Sequence, residues 1–257
     1  MEWTGAYGGV NRLTSIVIIP AYNERDNLSR LLPSIFQYQE FDILVIDDYT
    51  GDGTPELLKN MKRVYGERLN FIVRRGKRGY TSALKEGYRY ALETGYKYIF
   101  QMDADLQHDP RYLNPLLEEV RRGYGLVIAS RYVDAGGVQG WPLHRRVISI
   151  VANVYARTVL GIPAKDLTSG YRVFSGETLS SIVDNISLSK GFFIQVETAY
   201  LTHRCGYRLS EIPFIFKARE RGSSKLDIMK IIEFFINVLR LRYSGDGGGN
   251  CIHTTKA

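Results

Sequence analysis

Short β-branched runs alternate along the first 130 residues with stretches in which leucines recur every three or four positions. The runs are Ser15 to Pro20 (SIVIIP), Phe41 to Ile46 (FDILVI), Leu69 to Val73, Tyr98 to Met102 and Leu126 to Ser130. Continuous apolar segments of this length, bounded by turn residues, read as buried strands. Between them, Leu28, Leu31, Leu32 and Ile35 recur at helical spacing. Thr54-Pro55 opens a second helix, with Thr54 as N-cap and Pro55 at the first helical position. A third helix runs from about Thr81 to Thr94 and is closed by Gly95. Strands alternating with helices predict an α/β protein with a mostly parallel, doubly wound sheet, helices on both faces and right-handed crossovers.

Past Ser130 the pattern changes. Tyr132 to Pro142 is Gly-rich and reads as a mobile loop. Leu143 to Leu160 reads as a helix ended by Gly161 and Pro163, with Arg146, Ser149, Asn153 and Arg157 on one face. Val147, Ile148, Ile150, Val151 and Val154 cover the rest of it. Asp166 to Arg172 is a polar turn before a strand at Val173 and Phe174. A helix around Ile194 to Arg204 and a strand around Leu209 to Phe216 follow, then a basic, flexible run from Lys217 to Lys225. Leu226 to Leu241 closes the pattern as a helix with a narrow polar stripe (Asp227, Lys230, Glu233, Asn237, Arg240) and a very wide apolar face. Two readings of the wide helices stand side by side: ordinary core packing, or docking on a membrane interface. His144, Arg145, Arg146, Arg240 and Arg242 flank them, as an anionic surface would require. The expected organisation is a flexible lead over 1–14 and a catalytic domain over 15–226 that includes the helix at 143–160. A C-terminal amphipathic helix over 227–243 and a disordered tail over 244–257 complete it.

Composition narrows the class. With 257 residues and 44% hydrophobic residues the chain can bury a sizeable core. The two cysteines, Cys205 in a helical pattern and Cys251 in the polar tail, predict no disulfide and fit a reducing, cytosolic location. No signal peptide precedes the first strand, and no run reaches the length of a spanning helix. The net charge of +7 points to an anionic partner: nucleic acid, an anionic membrane or a phosphorylated substrate. Basic residues scattered over separate loops, without a nucleic-acid motif, argue against the first, although 18 tyrosines keep base stacking in view.

Chemistry concentrates where strands end. Tyr98 to Met102 runs into Asp103-Ala104-Asp105-Leu106-Gln107-His108-Asp109-Pro110. Alternate residues of an extended chain face one way, so Asp103 and Asp105 share a side, with Gln107 next if the extended geometry continues. Two carboxylates suit Mg²⁺ or Mn²⁺ completed by substrate phosphates. The first strand ends in Tyr22-Asn23-Glu24 and the second in Asp47-Asp48, which brings polar groups to one rim of the sheet, the place where such sheets bind ligands. Asp47 could cap the turn that follows, which leaves Asp48 as the nucleotide contact. His108 could ligate a metal or be a satisfied loop histidine. Neither a G-x-G-x-x-G after the first strand nor a P-loop is present, which disfavours nicotinamide and P-loop enzymes.

These segments in order resemble the family-2, metal-dependent, inverting glycosyltransferases of the GT-A fold, most of all the polyprenyl-phosphate (dolichol-phosphate) mannose synthases. The carriers are Pro20-Ala21-Tyr22-Asn23-Glu24, Asp47-Asp48 with Asp52-Gly53-Thr54, Arg75 to Ala83, Asp103 to Pro110, Ser130-Arg131-Tyr132, Asp166 to Arg172 and Phe216 to Leu226. The resemblance implies a GT-A fold with amphipathic interface helices and transfer of mannose from GDP-mannose to a polyprenyl (dolichyl) phosphate, with UDP-glucose or another nucleotide sugar as the alternative donor. It implies that Pro20, Tyr22, Glu24, Asp48 and Lys77 contact the nucleotide. Asp103, Asp105 and Gln107 would hold Mg²⁺ or Mn²⁺. Arg131, Ser169 and Arg219, with Lys165, Arg172 and Lys225, would meet the acceptor phosphate. Asp103, Asp105, Arg131 and Arg219 would be the catalytic set. Peripheral association with the cytoplasmic side of a membrane, and a membrane-anchoring subunit, are further implications. One departure is plain: where family members often read Gly-Leu-Gly, this chain has Gly79-Tyr80-Thr81.

Overall fold

A computed structural model describes residues 13–76, 79–187, 190–218, 228–244 and 251. The five apolar runs become strands: β1 (Ser15–Ala21), β2 (Phe41–Asp48), β3 (Leu69–Arg74), β4 (Tyr98–Gln101) and β5 (Leu126–Ser130). Between them lie α1 (Arg25–Phe36), α2 (Thr54–Tyr65), α3 (Tyr80–Glu93) and α4 (Leu113–Arg121). The second half adds β6 (Gly137–Gln139), α5 (Leu143–Leu160), β7 (Arg172–Ser175), α6 (Gly176–Ile182), α7 (Ile194–Arg204), β8 (Leu209–Pro213), β9 (Ile215–Lys217) and α8 (Ile228–Ser244).

The main sheet has the order β3-β2-β1-β4-β7-β5-β8. β1 pairs in parallel with β2 on one side and β4 on the other. β7 is antiparallel to both β4 and β5. Its reversal follows from the path of the chain. After β5 the chain goes out through β6 and α5 and returns by the turn at 166–171, so β7 starts at the rim where β5 ends. There the Ala129 N–H donates to Tyr171 O and the Ser169 hydroxyl to Ala129 O. Strands buried on both faces read as continuous apolar runs, as β1 and β2 do. Ile16, Ile18, Leu44 and Ile46 face a core shared with α3, α7 and α8, while Val17, Ile19, Ile43 and Val45 face one shared with α1 and α4.

The structure departs from the sequence reading in several places. The loop expected over 132–142 contains β6, which pairs in parallel with β9. Glycine left no apolar signal there, but Val138 packs on the core and Trp141 lies 5.2 Å from Phe216. The single strand expected over 209–216 is two: β8 joins the main sheet, the fully buried Phe214 follows, and β9 leaves for β6. Thr54 is the first residue of α2 rather than its cap. Asp52 does the capping, accepting from the Thr54 N–H at 3.0 Å and its hydroxyl at 2.8 Å. Cys205 and Cys251 are not separate thiols: they form a disulfide across 46 residues. Val238 and Leu241 of α8 pack into the same core cluster as Cys205, which brings the chain end to the end of α7. The bond removes the basis on which a reducing location was read.

The two wide apolar helices do pack on the domain, but with unexpected faces. α5 buries Asn153, Ala156 and Leu160 and leaves Leu143, Val147, Ile150, Val151 and Val154 exposed. α8 buries Asn237, Val238 and Leu241 and leaves Met229, Ile232, Ile236, Leu239 and Tyr243 exposed. Core packing thus accounts for one side of each helix only. No helix among the described residues is long and apolar enough to cross a membrane. The lead over 1–12, Asp227 and most of the tail lie outside the described residues.

Candidate active site

In the sheet order the chain steps from β1 to β2 and β3, then crosses back to β4 on the other side of β1. That reversal opens a crevice at the carboxyl ends of β1 and β4, where an open α/β sheet binds its ligand. The tips of the two strands are the segments singled out above: Tyr22-Asn23-Glu24 and Asp103-Ala104-Asp105. Asn23 turns the chain at φ 58°, a left-handed conformation that asparagine tolerates. Tyr22 stands exposed beside it, and Glu24, at the start of α1, accepts from the Asn27 amide.

On the β2 side the two aspartates differ sharply. The Asp48 carboxylate takes the Arg74 Nε–H at 2.6 Å and the Gly79 N–H at 2.9 Å. Buried Arg74 also donates to the Ser82 hydroxyl, Glu86 and the Gly79 carbonyl, so Asp48 anchors the loop that leads into α3. Asp47 does not cap the turn. It is fully buried and both its carboxylate oxygens lack a hydrogen-bond partner among the described residues. Burial, with the charges of Asp52, Asp48 and Glu56, pushes its carboxyl up to about 6. Lys77 lies outside the described residues.

At the β4 tip the extended geometry stops sooner than expected. Leu106 sits at φ 64°, rare for a bulky residue, and Asp105 accepts the Gln107 N–H at 3.1 Å. Gln107 therefore leaves the line of Asp103 and Asp105, and its Nε2–H is held by the Lys217 carbonyl at 3.1 Å. His108 is buried, stacked on Tyr171, and its Nδ1 accepts the Asp103 N–H at 2.9 Å. Burial pushes its pKa down, against the pull of Asp103 and Asp105, so the neutral ring holds the Asp103 backbone: it is a satisfied loop histidine. The Asp103 carboxylate accepts from the Tyr80 hydroxyl at 2.8 Å. The carboxylates of Asp103 and Asp105 are oxygen donors of the kind that Mg²⁺ or Mn²⁺ takes, one or two to a cation. Among the described residues no three His, Cys, Asp or Glu groups come together as a metal cluster.

The β5 tip carries Arg131. Its Nε–H and Nη2–H form a fork on the Asp166 carboxylate, both at 2.7 Å, and its backbone N–H adds a third bond at 2.9 Å. Burial favours neutral Asp166, but the Arg131 charge and these bonds outweigh it and hold the carboxyl below its usual range. The Arg131 guanidinium also lies over the rings of Tyr132, Trp141 and Phe216. The turn at 166–171 is fixed from below: Glu211 accepts the Lys165 and Asp166 N–H groups, and Asn153 the Leu167 N–H. Arg172 is fully buried and donates to the carbonyls of Leu167, Ser169 and Gln195, so burial pushes it down to about 10. Ser169 is buried on Ala129, and Lys165 is exposed. Arg219 and Lys225 lie outside the described residues.

The β4 tip meets the turn that leads into β7. A Cβ at Gly170 would stand 3.3 Å from Asp103 Oδ2, so the turn that holds Arg131 abuts the acidic tip. Pro20, Tyr22, Glu24, Asp48, Asp103, Asp105 and Arg131 thus share one rim. The sequence reading missed Tyr80, Gln101, Gln195, Arg74 and Asn153, which hold the site from behind. Only Tyr80 carried a signal, as the residue that breaks the family's Gly-Leu-Gly.

The model of glycosyl transferase family 2 matches residues 16–182. A polyprenol monophosphomannose synthase from Mycolicibacterium smegmatis is 36% identical over 225 residues, 87% of this chain and 85% of its own length. An undecaprenyl-phosphate mannosyltransferase from Micrococcus luteus is 37% identical over 226 residues, 88% and 92% of the two chains. Among solved structures, a mannosyltransferase from Pyrobaculum calidifontis in complex with GDP-Man and Mn²⁺ superposes with a TM-score of 0.56 at 16% identity, covering 96% of this chain and 79% of that one. This last likeness is one of fold: the architecture is that of the GT-A nucleotide-sugar transferases.

Proposed function

The chain belongs to glycosyl transferase family 2, and from that premise we infer that it transfers mannose from GDP-mannose to a polyprenyl (dolichyl) monophosphate. The observation that carries this reading is the contact between the acidic end of β4 and the turn that holds Arg131, which meet at Gly170. An acidic tip suits a cation-bound diphosphate donor, and an arginine-bearing tip suits a phosphate acceptor. The two relatives named above are mannosyl transferases to polyprenyl phosphates, which supports the same acceptor here.

Pro20, Tyr22, Glu24, Asp48 and Lys77 are assigned to the nucleoside. Asp103 and Asp105 are assigned to Mg²⁺ or Mn²⁺, which when bound neutralises the leaving diphosphate as a Lewis acid. Arg131, with Lys165, Arg219 and Lys225, is assigned to the acceptor phosphate; Ser169 and Arg172 act on it through the turn they hold. The acceptor is an anion at neutral pH, so an oxygen of it can attack without a general base. A bond from that oxygen to the anomeric carbon forms as the bond to the diphosphate breaks, so an α-linked donor gives a β-linked product.

A lipid acceptor places the site near a membrane. The exposed apolar stripes of α5 and α8 run among His144, Arg145, Arg146, Arg240 and Arg242, and are assigned to the surface of an anionic bilayer. An anchoring subunit could use the same surface.

The test is transfer of labelled mannose from GDP-mannose to a short polyprenyl phosphate, with Mn²⁺ or with chelator. A metal-dependent, lipid-extractable, mild-acid-labile product is the expected result. Stabilisation by UDP and not by GDP, with no product from GDP-mannose, would overturn the donor assignment.

A further inference from the structure

Tyr80 opens α3, and its ring packs on Phe192 with centroids 4.9 Å apart. Its hydroxyl is the centre of a buried network. Gln101 Nε2 and Gln195 Nε2 each donate to it at 3.0 Å, and it lies 2.8 Å from Asp103 Oδ1. A phenol oxygen has two lone pairs and one hydrogen. The two amides occupy the lone pairs, so the hydrogen is directed at Asp103. The direction is enforced one step further back. Gln101 Oε1 accepts the Tyr88 hydroxyl at 2.6 Å, so flipping that amide would take this acceptor from the Tyr88 hydrogen. Tyr88 and Gln101 are both fully buried. The result is a one-way chain from Tyr88 through Gln101 and Tyr80 to Asp103. Gly170 closes it from the far side, its added Cβ standing 3.4 Å from the Tyr80 oxygen.

We propose that Tyr80 is a positioning residue: its hydroxyl fixes the Asp103 carboxylate in the orientation that receives the divalent cation of the donor diphosphate. The inference rests on the cation assignment above. Partners that orient a metal ligand typically change metal affinity or activity by 10–100-fold when removed.

Tyr80→Phe keeps the ring against Phe192 and removes only the hydroxyl. Binding of Mn²⁺ in the presence of GDP, read by the loss of the free-ion paramagnetic resonance signal, is expected to weaken by about tenfold. The Mn²⁺ concentration for half-maximal transfer should rise in step, with the rate recovering at saturating Mn²⁺ and KM for the polyprenyl phosphate unchanged. A role confined to folding would lower melting temperature and yield without moving the Mn²⁺ dependence, and would overturn the proposal. If Tyr80→Phe fails to fold, Tyr80→Leu, which also lacks the hydroxyl, is measured in the same way. Wild-type affinity for Mn²⁺ in the folded variant overturns the role of Tyr80 alone. Failure of the wild-type protein to bind Mn²⁺ with GDP overturns it together with the cation assignment.

Discussion

At the scale of single residues the site depends on what each carboxylate is left to do. Asp48 accepts from Arg74 and Gly79, Asp52 from the start of α2, Asp166 from Arg131, Asp103 from Tyr80 and Asp105 from Gln107. Asp105→Ala is expected to abolish metal-dependent transfer, and an assay that still shows it would remove the metal site. Asp47 yields a prediction of a different kind. Its folded value, about 6, exceeds the ordinary 3.8, so between those values the native state holds a proton that the unfolded chain has released. Stability therefore falls as pH rises through that window, and above it the cost is complete. Asp47→Asn should gain nothing near pH 4 and be more stable than the wild type at pH 7.5, by on the order of 2 kcal/mol. Urea denaturation at the two pH values measures this, and an equal difference at both refutes it.

At the scale of elements, three features were hidden from a pattern of apolar and polar positions. The first is the disulfide. It joins the C-cap of α7 to a residue beyond α8, and 46 residues of separation carry no local sign of it. Closing a loop of that length stabilises by about 4 kcal/mol in the chain-entropy picture. Cys251→Ser is expected to lower the melting temperature, with non-reducing mass analysis confirming the bond in the parent. The second is the orientation of α5. Its polar residues Asn153 and Ser149 turn inward to Thr168 and Tyr132, because the turn they support needs hydrogen-bond partners, and its apolar stripe is left outside. The third is how little of the wide apolar face of α8 the domain covers, which leaves positions 229, 232, 236, 239 and 243 exposed. Charge on these stripes should cost membrane binding and spare the fold. Val151→Glu with Ile236→Glu is expected to reduce flotation with anionic liposomes several-fold without shifting the melting temperature. Unchanged flotation would assign the stripes to something other than lipid.

At the scale of the whole molecule, the sequence by itself determined which segments are strands and which are helices up to β5, because burial on both faces of a parallel sheet requires continuous apolar runs and crossovers require helical periodicity. It also determined that chemistry sits at strand ends, since carboxylates directly after an apolar run can only emerge at the rim. Tertiary structure alone decided strand order, the antiparallel entry of β7 and the contact of the β4 tip with the turn at 166–171, because these depend on pairings between residues far apart in the chain. It alone decided which aspartate is hydrogen-bonded to Arg74 and which has no partner among the described residues, since Asp47 and Asp48 are adjacent and chemically identical until the pleat sends one toward Arg74 and the other away from it. Tyr80 reaches Asp103 only because α3 packs across β1 and β4, a juxtaposition that no local spacing encodes.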